Sequence, residues 1–167
     1  MNKKYKKLAV AFSGPSNSGK TTLVTKVSNI LQDRGFKVCI VKHDPKDKAR
    51  FDRPGKDSDK FSQTGADVAV VSPSRTTIFK QNSSEIEEII NLFGDFDFLL
   101  VEGLKSLDLP RISIFRNRLD ETYYPFTNAI AHDETINVSD IPSDIHKLDL
   151  NNPEEVIVWI EKYSKSV

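Results

Sequence analysis

One eight-residue segment near the start of the chain constrains its fold most. Residues 14–21 read Gly-Pro-Ser-Asn-Ser-Gly-Lys-Thr, which completes the pattern G-x-x-x-x-G-K-[ST]. In this pattern the glycines permit a tight turn whose N–H groups face phosphate oxygens, the lysine reaches the β- and γ-phosphates, and the last hydroxyl is a Mg²⁺ ligand. The motif predicts nucleotide binding by Gly14, Pro15, Ser16, Asn17, Ser18, Gly19, Lys20, Thr21 and Thr22, with Thr21 also at the metal.

The segments on either side of this loop have the periodicity that it requires. Residues 8–12 are apolar and lead into the loop, as a buried parallel strand does. Leu23, Val27, Ile30 and Leu31 follow at the spacing of one helix face, and Gly35 is suited to end that helix. Further strands alternate with helical segments. The sequence therefore predicts an α/β, P-loop NTPase-like fold: a mostly parallel twisted sheet flanked by helices, with an added β-hairpin.

The middle of the chain predicts a strand, a long loop and a hairpin. Residues 37–42 are apolar on both faces, which is typical of a central parallel strand. Residues 43–58 are polar without clear periodicity, and loops of such length are usually functional or mobile. A short helix is predicted for residues 59–64. Two β-branched runs, 68–72 and 76–80, flank a turn and predict a hairpin that joins the sheet.

Two later helices have recognisable start signals. Asn152 followed by Pro153 predicts the start of the last helix. The run Ser84-Glu85-Ile86-Glu87 fits a capping box, in which Ser84 is the cap. The stripe expected to be buried behind this box consists of Ile86, Ile89, Ile90 and Phe93.

Composition limits the class of protein and its partners. The 167 residues predict a single nucleotide-binding domain over 1–167. The 24 basic and 24 acidic side chains cancel, which argues against a general attraction to nucleic acid or to a membrane. Cys39 is the only cysteine, so the expected compartment is the cytoplasm. The lysine-rich residues 1–7 are expected to form a solvated tail.

Position along the strands distinguishes two candidate metal ligands. In parallel sheets of this kind, ligands bind at the carboxyl ends of the strands. Asp97 begins an apolar strand and Glu102 ends it, so only Glu102 is expected at the phosphate end, where it would hold Mg²⁺ opposite Thr21. The same rule brings His43 and Asp44 to the site after the second strand, with Asp44 near the metal through water.

The end of the long loop, residues 54–58, has two interpretations that its chemistry leaves open. It is either a turn followed by a helix cap, or a loop that orders on the nucleotide, with Lys56 on phosphate and Asp57 near the metal. In the second interpretation the site residues of this loop are Gly55, Lys56, Asp57 and Ser58.

Taken in order, these segments resemble a known family over nearly the whole chain. The phosphate loop is followed by residues 42–44, 52–58, 65–66 and 101–105, of which Pro-Gly-Lys-Asp-Ser and Val-Glu-Gly-x-Lys are the most specific. The sequence resembles the MobB family, the molybdopterin-guanine dinucleotide biosynthesis adaptor proteins. The resemblance implies binding of GTP with Mg²⁺, at most slow GTP hydrolysis, and a homodimer. It also implies partnership with the guanylyltransferase that attaches GMP to molybdopterin, with molybdopterin a second candidate ligand, and it adds Gly103 and Lys105 to the site.

The sequence contains no clear motif for the residues that would recognise the base or assist hydrolysis. The guanine-reading pattern Asn-Lys-x-Asp is absent. Asp133, just past the strand 128–132, is a candidate acceptor for guanine N–H groups, and a turn-forming aspartate is the alternative. Fast hydrolysis needs an arginine finger and a residue that positions water. The arginines considered for a finger are Arg50, Arg53, Arg111 and Arg116.

A P-loop small-molecule kinase is the alternative function. Such enzymes close a lid with several basic residues over the phosphate donor, and residues 46–53 contain four lysines and arginines that suit this purpose. Phosphate appearing on an acceptor would favour the kinase, whereas nucleotide-dependent capture of a transferase would favour the adaptor.

Overall fold

The computed structural model describes residues 5–167. These residues divide into two compact units, the first formed by the chain up to His43 together with Asp95–Val167, and the second by Asp44–Gly94. The expectation of one domain over residues 1–167 stays a prediction. Of the lysine-rich tail, residues 1–4 lie outside the described part. Lys7 is bound to the fold, since its N–H donates to the Phe96 carbonyl.

Strands and helices alternate along the chain. Two 3₁₀ helices occur as well, at Glu121–Phe126 and Val138–Asp140. In chain order the elements are β1 (Leu8–Ser13), α1 (Lys20–Asp33), β2 (Val38–Lys42), α2 (Asp57–Ser62), β3 (Val68–Val71), β4 (Thr76–Phe79), α3 (Ile86–Phe93), β5 (Phe98–Glu102), β6 (Arg111–Phe115), β7 (Ala129–His132), β8 (His146–Asp149), α4 (Pro153–Tyr163) and β9 (Lys165–Ser166).

The first unit is built on a mostly parallel sheet. Within residues 5–167 this sheet has seven strands, six of them in the order β2-β5-β1-β6-β7-β8, and the short β9 pairs antiparallel with the start of β1. β2 is therefore an edge strand, and the prediction that it is central was wrong. Only alternate residues of β2 are buried, and Ile40 is 43% exposed. An apolar run shows strand character but does not reveal how many neighbours the strand has.

Helices α1 and α4 bury apolar faces in the same core as the sheet. Of the residues whose spacing predicted the helix, Leu23, Val27 and Leu31 are buried in this core and Ile30 packs against it partly buried. α4 begins as predicted, with Pro153 at its first turn and the Asn152 side chain accepting from the Glu155 N–H. A cap of this kind is worth about 1 kcal/mol. Among residues 5–167, no helix has both the length and the apolar character needed to cross a bilayer.

The second unit contains α2, α3 and the predicted hairpin. β3 and β4 pair with each other, with Val68 opposite Phe79, and form a two-stranded sheet of their own. The expectation that the hairpin joins the main sheet was therefore wrong. The side chain of Gln81 ties the end of the hairpin to the end of α2 through the Ser62 and Ala66 carbonyls. β-propensity predicts that two segments form strands, but it does not predict which other segments they bond to.

The start of α3 also differs from the prediction. Its N-cap is Glu85 without a side-chain hydrogen bond, and the Ser84 hydroxyl accepts instead from Lys80 Nζ at 2.8 Å. The prediction of a capping box was therefore wrong, because the Ser84 hydroxyl accepts from Lys80 and does not cap the helix. Gly94 ends the helix as expected, with φ of 68°. The stripe expected to be buried is only half-buried at Ile86, Ile89, Ile90 and Phe93.

Candidate functional site

The connection from β1 to α1 is a tight loop that depends on two glycines. Gly14 and Gly19 have φ of 138° and 98°, a region that side chains strongly disfavour. A Cβ atom on Gly14 would lie 2.4 Å from the Ile114 carbonyl oxygen of β6. Only glycine permits this approach, and it brings the loop close to the carboxyl end of the sheet.

The loop presents the uncapped start of α1. Gly19 occupies the N-cap, so no side chain caps the helix, and the first turn contains no acidic residue. The first N–H groups of an α-helix have no partner within the helix and carry a partial positive charge. Ser18 Oγ is buried and has no hydrogen-bond partner among residues 5–167. This donor set fits a phosphate group.

The Lys20 ammonium spans the loop. Nζ donates to the Gly14 carbonyl at 2.9 Å and to the Pro15 carbonyl at 2.6 Å. Burial lowers the pKa of Lys20, while the nearby Glu102 carboxylate acts in the opposite direction. These two hydrogen bonds keep the ammonium at the loop. The motif predicts that phosphate binds at this loop.

Strand register brings Glu102 to Thr21. Phe12, Glu102 and Lys42 are paired across β1, β5 and β2. Thr21 Oγ1 lies 3.5 Å from Glu102 Oε2, and Lys42 Nζ lies 3.3 Å from Glu102 Oε1. Within residues 5–167, no three His, Cys, Asp or Glu side chains are grouped to hold a metal by themselves. One hydroxyl and one carboxylate suit Mg²⁺ that takes its other ligands from phosphate and water.

His43 and Gly103 meet beside this pair. The His43 N–H donates to the Glu102 carbonyl at 2.9 Å. Gly103 has φ of 94°, and a Cβ atom added to it would lie 2.9 Å from His43 Cβ. The structure therefore brings two further predicted site residues together and explains why one is a glycine.

Arg111 organises the segment that follows β5, a role that differs from the arginine finger considered for it. Its guanidinium is buried and donates to Ser13 Oγ at 2.8 Å and to the carbonyls of Gly103 and Leu104 at 2.9 Å. Burial lowers the pKa of this guanidinium. Because its donors are occupied inside the fold, Arg111 is not available as an arginine finger. An arginine at the start of an otherwise apolar strand was the signal for a buried role.

The Lys105 ammonium lies against an aromatic surface, and its part in the site stays a prediction. Its ammonium lies 3.8 Å from the centroid of the Tyr123 ring and 5.4 Å from that of Phe126. This geometry is that of a cation–π interaction. The structure thus places the Lys105 ammonium against the aromatic side chains of the 121–126 turn.

Asp133 forms a small network at the end of β7. Its Oδ2 accepts from Arg116 Nε at 3.1 Å, and its Oδ1 accepts from the N–H and the hydroxyl of Thr135. The Thr135 hydrogen bonds are the main cause that lowers the pKa of Asp133, and Arg116 adds to it. The carboxylate is therefore ionised and fixed in orientation. Its assignment as a base reader stays a prediction.

The remaining predicted site residues belong to the second unit. The Asp44 carboxylate accepts from the N–H groups of Lys48 and Ala49, and Asp57 lies 3.6 Å from Lys60 Nζ. These contacts are local. As for the other predicted residues, the part that these residues of the second unit have in a site stays a prediction: Asp44, Gly55, Lys56, Asp57 and Ser58.

A comparison with protein families matches most of the chain to a single family. The model of molybdopterin guanine dinucleotide synthesis protein B, MobB, matches residues 9–153. The chain belongs to the MobB family. A molybdopterin-guanine dinucleotide biosynthesis adapter protein of Escherichia coli K12 is 30% identical over 166 residues, which are 92% of this chain and 93% of that protein. The resemblance inferred from the motifs is confirmed.

Other MobB relatives agree with this placement. A relative from Methanocaldococcus jannaschii is 29% identical over 135 residues, which are 77% of this chain and 56% of that longer protein. A crystal structure of molybdopterin-guanine biosynthesis protein B aligns with a TM-score of 0.72 and 25% identity, covering 93% of this chain and 99% of the other. Bacillus subtilis MobB aligns with a TM-score of 0.71 at 21% identity over 93% and 97% of the chains and supports the fold. The predicted α/β, P-loop NTPase-like fold is thereby confirmed.

Proposed function

We propose that this chain is a GTP-binding adaptor in the biosynthesis of molybdopterin guanine dinucleotide, where it assists the guanylyltransferase in the cytoplasm. Family membership and the adapter relative of Escherichia coli support the pathway. The observation that carries the nucleotide proposal is the glycine-bent loop at the start of α1, with Lys20 across it and Ser18 Oγ buried beneath it.

Mg²⁺ is the metal that this site suits. Thr21 and Glu102 would hold it, because a hydroxyl and a carboxylate face each other at the end of β1 and β5. The ion would neutralise part of the phosphate charge when bound. Lys42 Nζ pairs with the other oxygen of Glu102 and holds the carboxylate in orientation.

GTP hydrolysis by the chain alone is expected to be slow. Arg111 is occupied by carbonyl groups, and Arg116 by Asp133. With neither of these two arginines free for the γ-phosphate, we expect a rate near the unassisted range, about 10⁻³ s⁻¹ or below. Turnover of several GTP molecules per second by purified protein would contradict this proposal.

The proposal also includes roles for the loop of residues 43–58 and for a second copy of the chain. Residues 43–58 order on the nucleotide, with Lys56 toward phosphate and with Asp44 and Asp57 toward the metal. The adaptor works as a homodimer and presents this loop to the guanylyltransferase, with molybdopterin as a second candidate ligand. The Asp44 carboxylate already accepts from the N–H groups of Lys48 and Ala49 at the start of this loop.

Equilibrium titration of GTP and ATP, with and without Mg²⁺, tests the nucleotide proposal directly. Wild-type protein should bind GTP with Mg²⁺. Lys20→Ala should lose about tenfold to hundredfold in GTP affinity, since a hydrogen bond to a charged group is lost. Lys26→Ala, an exposed lysine of the same helix, should bind GTP normally. A folded wild-type protein that binds no purine triphosphate would overturn the proposal.

A second experiment separates the adaptor from the kinase. Immobilised chain should capture the guanylyltransferase more strongly with GTP and Mg²⁺ than without nucleotide. Phosphate transferred from GTP or ATP to a small acceptor would instead support the kinase.

A further inference from the structure

A cavity lies at the end of the main sheet that is opposite to the phosphate loop. Strands β1, β6, β7 and β8 run parallel, so their amino ends share one edge of the sheet, whereas the phosphate loop follows the carboxyl end of β1. Asn128 comes directly before β7 and His146 begins β8. Together with Asp144 and with Trp159 and Tyr163 of α4, they line a cavity of about 310 Å³. This cavity is therefore separate from the proposed nucleotide site.

Three aromatic rings form one wall of this cavity. The centroids of the His146 and Tyr163 rings are 4.7 Å apart with planes inclined by 35°, and the Trp159 ring lies 5.1 Å from Tyr163 at the same inclination. Trp159 is buried, Tyr163 is half-buried and His146 is exposed. Rings packed in this way offer a flat apolar surface on which another ring can stack. The wall therefore suits a planar ligand.

Two lining side chains are set as hydrogen-bond donors by contacts within the fold. Trp159 Nε1 donates to His146 Nδ1 at 3.1 Å. Because an indole N–H can only donate, Nδ1 of the neutral imidazole is the acceptor and the ring proton of His146 is on Nε2, where it can be donated to a ligand. Asn128 Oδ1 accepts from the Arg111 N–H at 2.9 Å, which leaves the Asn128 NH₂ group as the second donor.

Asp144 supplies the acceptor of the cavity. Its side chain is exposed and takes part in no hydrogen bond or ion pair among residues 5–167. A carboxylate can accept two parallel hydrogen bonds from neighbouring N–H groups of one ligand. Among the described residues, no lysine or arginine lines the cavity, so it suits an uncharged ring better than a phosphate. The ligand that fits is flat, with a pair of adjacent donors on one edge and acceptors beside them.

We propose that this cavity binds the ring system of a pterin. A pterin is a planar bicycle in which the 2-amino group and the neighbouring N3–H form a pair of donors, beside a 4-oxo acceptor. Asp144 accepts from the donor pair, His146 and Asn128 donate to ring acceptors, and the aromatic wall faces the ring plane. The inference rests on the proposed function, because it gives a place to molybdopterin, its second candidate ligand. Guanine has the same edge, but the proposed function already places GTP at the phosphate loop.

Comparison of pterin with lumazine tests the assignment, because lumazine has a second oxo group in place of the 2-amino group. Each is titrated by calorimetry into wild-type protein, Asp144→Asn and Asp33→Asn, the last changing an exposed aspartate of α1 as control. Wild type and control should bind pterin about tenfold more tightly than lumazine, since a carboxylate that meets a carbonyl loses a charged hydrogen bond. Asp144→Asn should lose this preference, because an amide both donates and accepts.

The indole N–H of Trp159 reports where the ligand binds. Trp159 is the only tryptophan of the chain, so the protein gives a single indole N–H resonance, and this N–H donates to His146 in the cavity wall. Pterin should shift this resonance. GTP with Mg²⁺ should neither shift it nor displace the pterin, because the phosphate loop lies at the other end of the sheet. An equal shift caused by guanosine would assign the cavity to a guanine base and overturn the pterin assignment.

The outcomes separate this inference from the proposed function. If wild-type protein binds GTP but no pterin, or binds pterin and lumazine equally, the inference is overturned and nucleotide binding stands; this result needs no variant. A pterin preference that persists in Asp144→Asn, or a pterin that GTP displaces, also overturns it. If pterin binds with the expected preference and GTP does not bind, the nucleotide proposal fails and the cavity assignment stands.

Discussion

The Thr21 hydroxyl and the Glu102 carboxylate lie 3.5 Å apart, although 81 positions separate them in the chain. One residue stands in the first turn of α1 and the other at the end of β5. They meet because β1 and β5 pair in parallel and end together, with Phe12 opposite Glu102. This relationship gives the phosphate loop a carboxylate that it does not itself contain.

Removing the charge of Glu102 should abolish the Mg²⁺ dependence of GTP binding. In Glu102→Gln we expect Mg²⁺ to improve GTP affinity less than about twofold, because one anionic ligand is lost. GTP affinity without Mg²⁺ should stay equal or increase, since a negative charge near the phosphates has gone. Titration with and without the metal measures both values. Glu161→Gln, which affects an ion pair with Lys6, serves as control and should behave as wild type.

Gly14 should tolerate no side chain. Gly14→Ala places a Cβ atom 2.4 Å from the Ile114 carbonyl at a φ of 138°. We expect a loss of about 3 kcal/mol in the free energy of unfolding, from backbone strain together with the clash. Gly35→Ala is the matched control, because its φ is 82° and no atom lies within 4 Å of the added Cβ. It should lose only about 1 kcal/mol, measured by urea unfolding. Equal losses in the two variants would refute the close-approach argument.

Replacing Arg111 by lysine or by methionine should lower the free energy of unfolding. Arg111→Met leaves the carbonyls of Gly103, Leu104 and Leu107 without their donor, and the single ammonium of Arg111→Lys cannot reproduce both arms of the guanidinium fork. Buried acceptors without a partner cost about 1–3 kcal/mol each, so we expect Arg111→Met to lose at least about 3 kcal/mol of stability and Arg111→Lys to lose less. Hydrogen exchange should become faster at residues 103–107. Arg75→Lys, at an exposed position in the hairpin, should leave both measurements unchanged.

The Asp133 network should contribute to stability only above acid pH. The pKa of Asp133 is lowered in the folded state, chiefly by Thr135. The stabilisation is therefore present above the unfolded-state pKa of about 4 and is lost as the pH falls through the folded-state value. The difference in unfolding free energy between wild type and Asp133→Asn should shrink below about pH 4. A difference that stays constant from pH 7 to pH 3 would show that the ionised carboxylate is not what stabilises the fold.

Sequence patterns predicted correctly those features in which the functional residues and the backbone conformation belong to one short segment. The loop of residues 14–21, the apolar strand before it and the helix after it follow from glycine positions and from periodicity. The rule that ligands bind at strand ends also placed Glu102 correctly opposite Thr21. Sequence patterns gave wrong predictions for features that depend on how many strands lie beside a given strand. β2 is an edge strand and the hairpin stands alone, because β-propensity describes a strand and not its partners.

The sequence by itself determined the phosphate loop, the α/β class and the family, since these depend on residues that are close together in the chain. Only the tertiary structure decided that Arg111 is buried against carbonyl groups and that Arg116 lies on Gly19 under the control of Asp133. An arginine in a sequence is equally suited to solvent, to phosphate or to a carboxylate. The folded chain selects among them, because the register of distant strands fixes which acceptors lie within reach of each guanidinium.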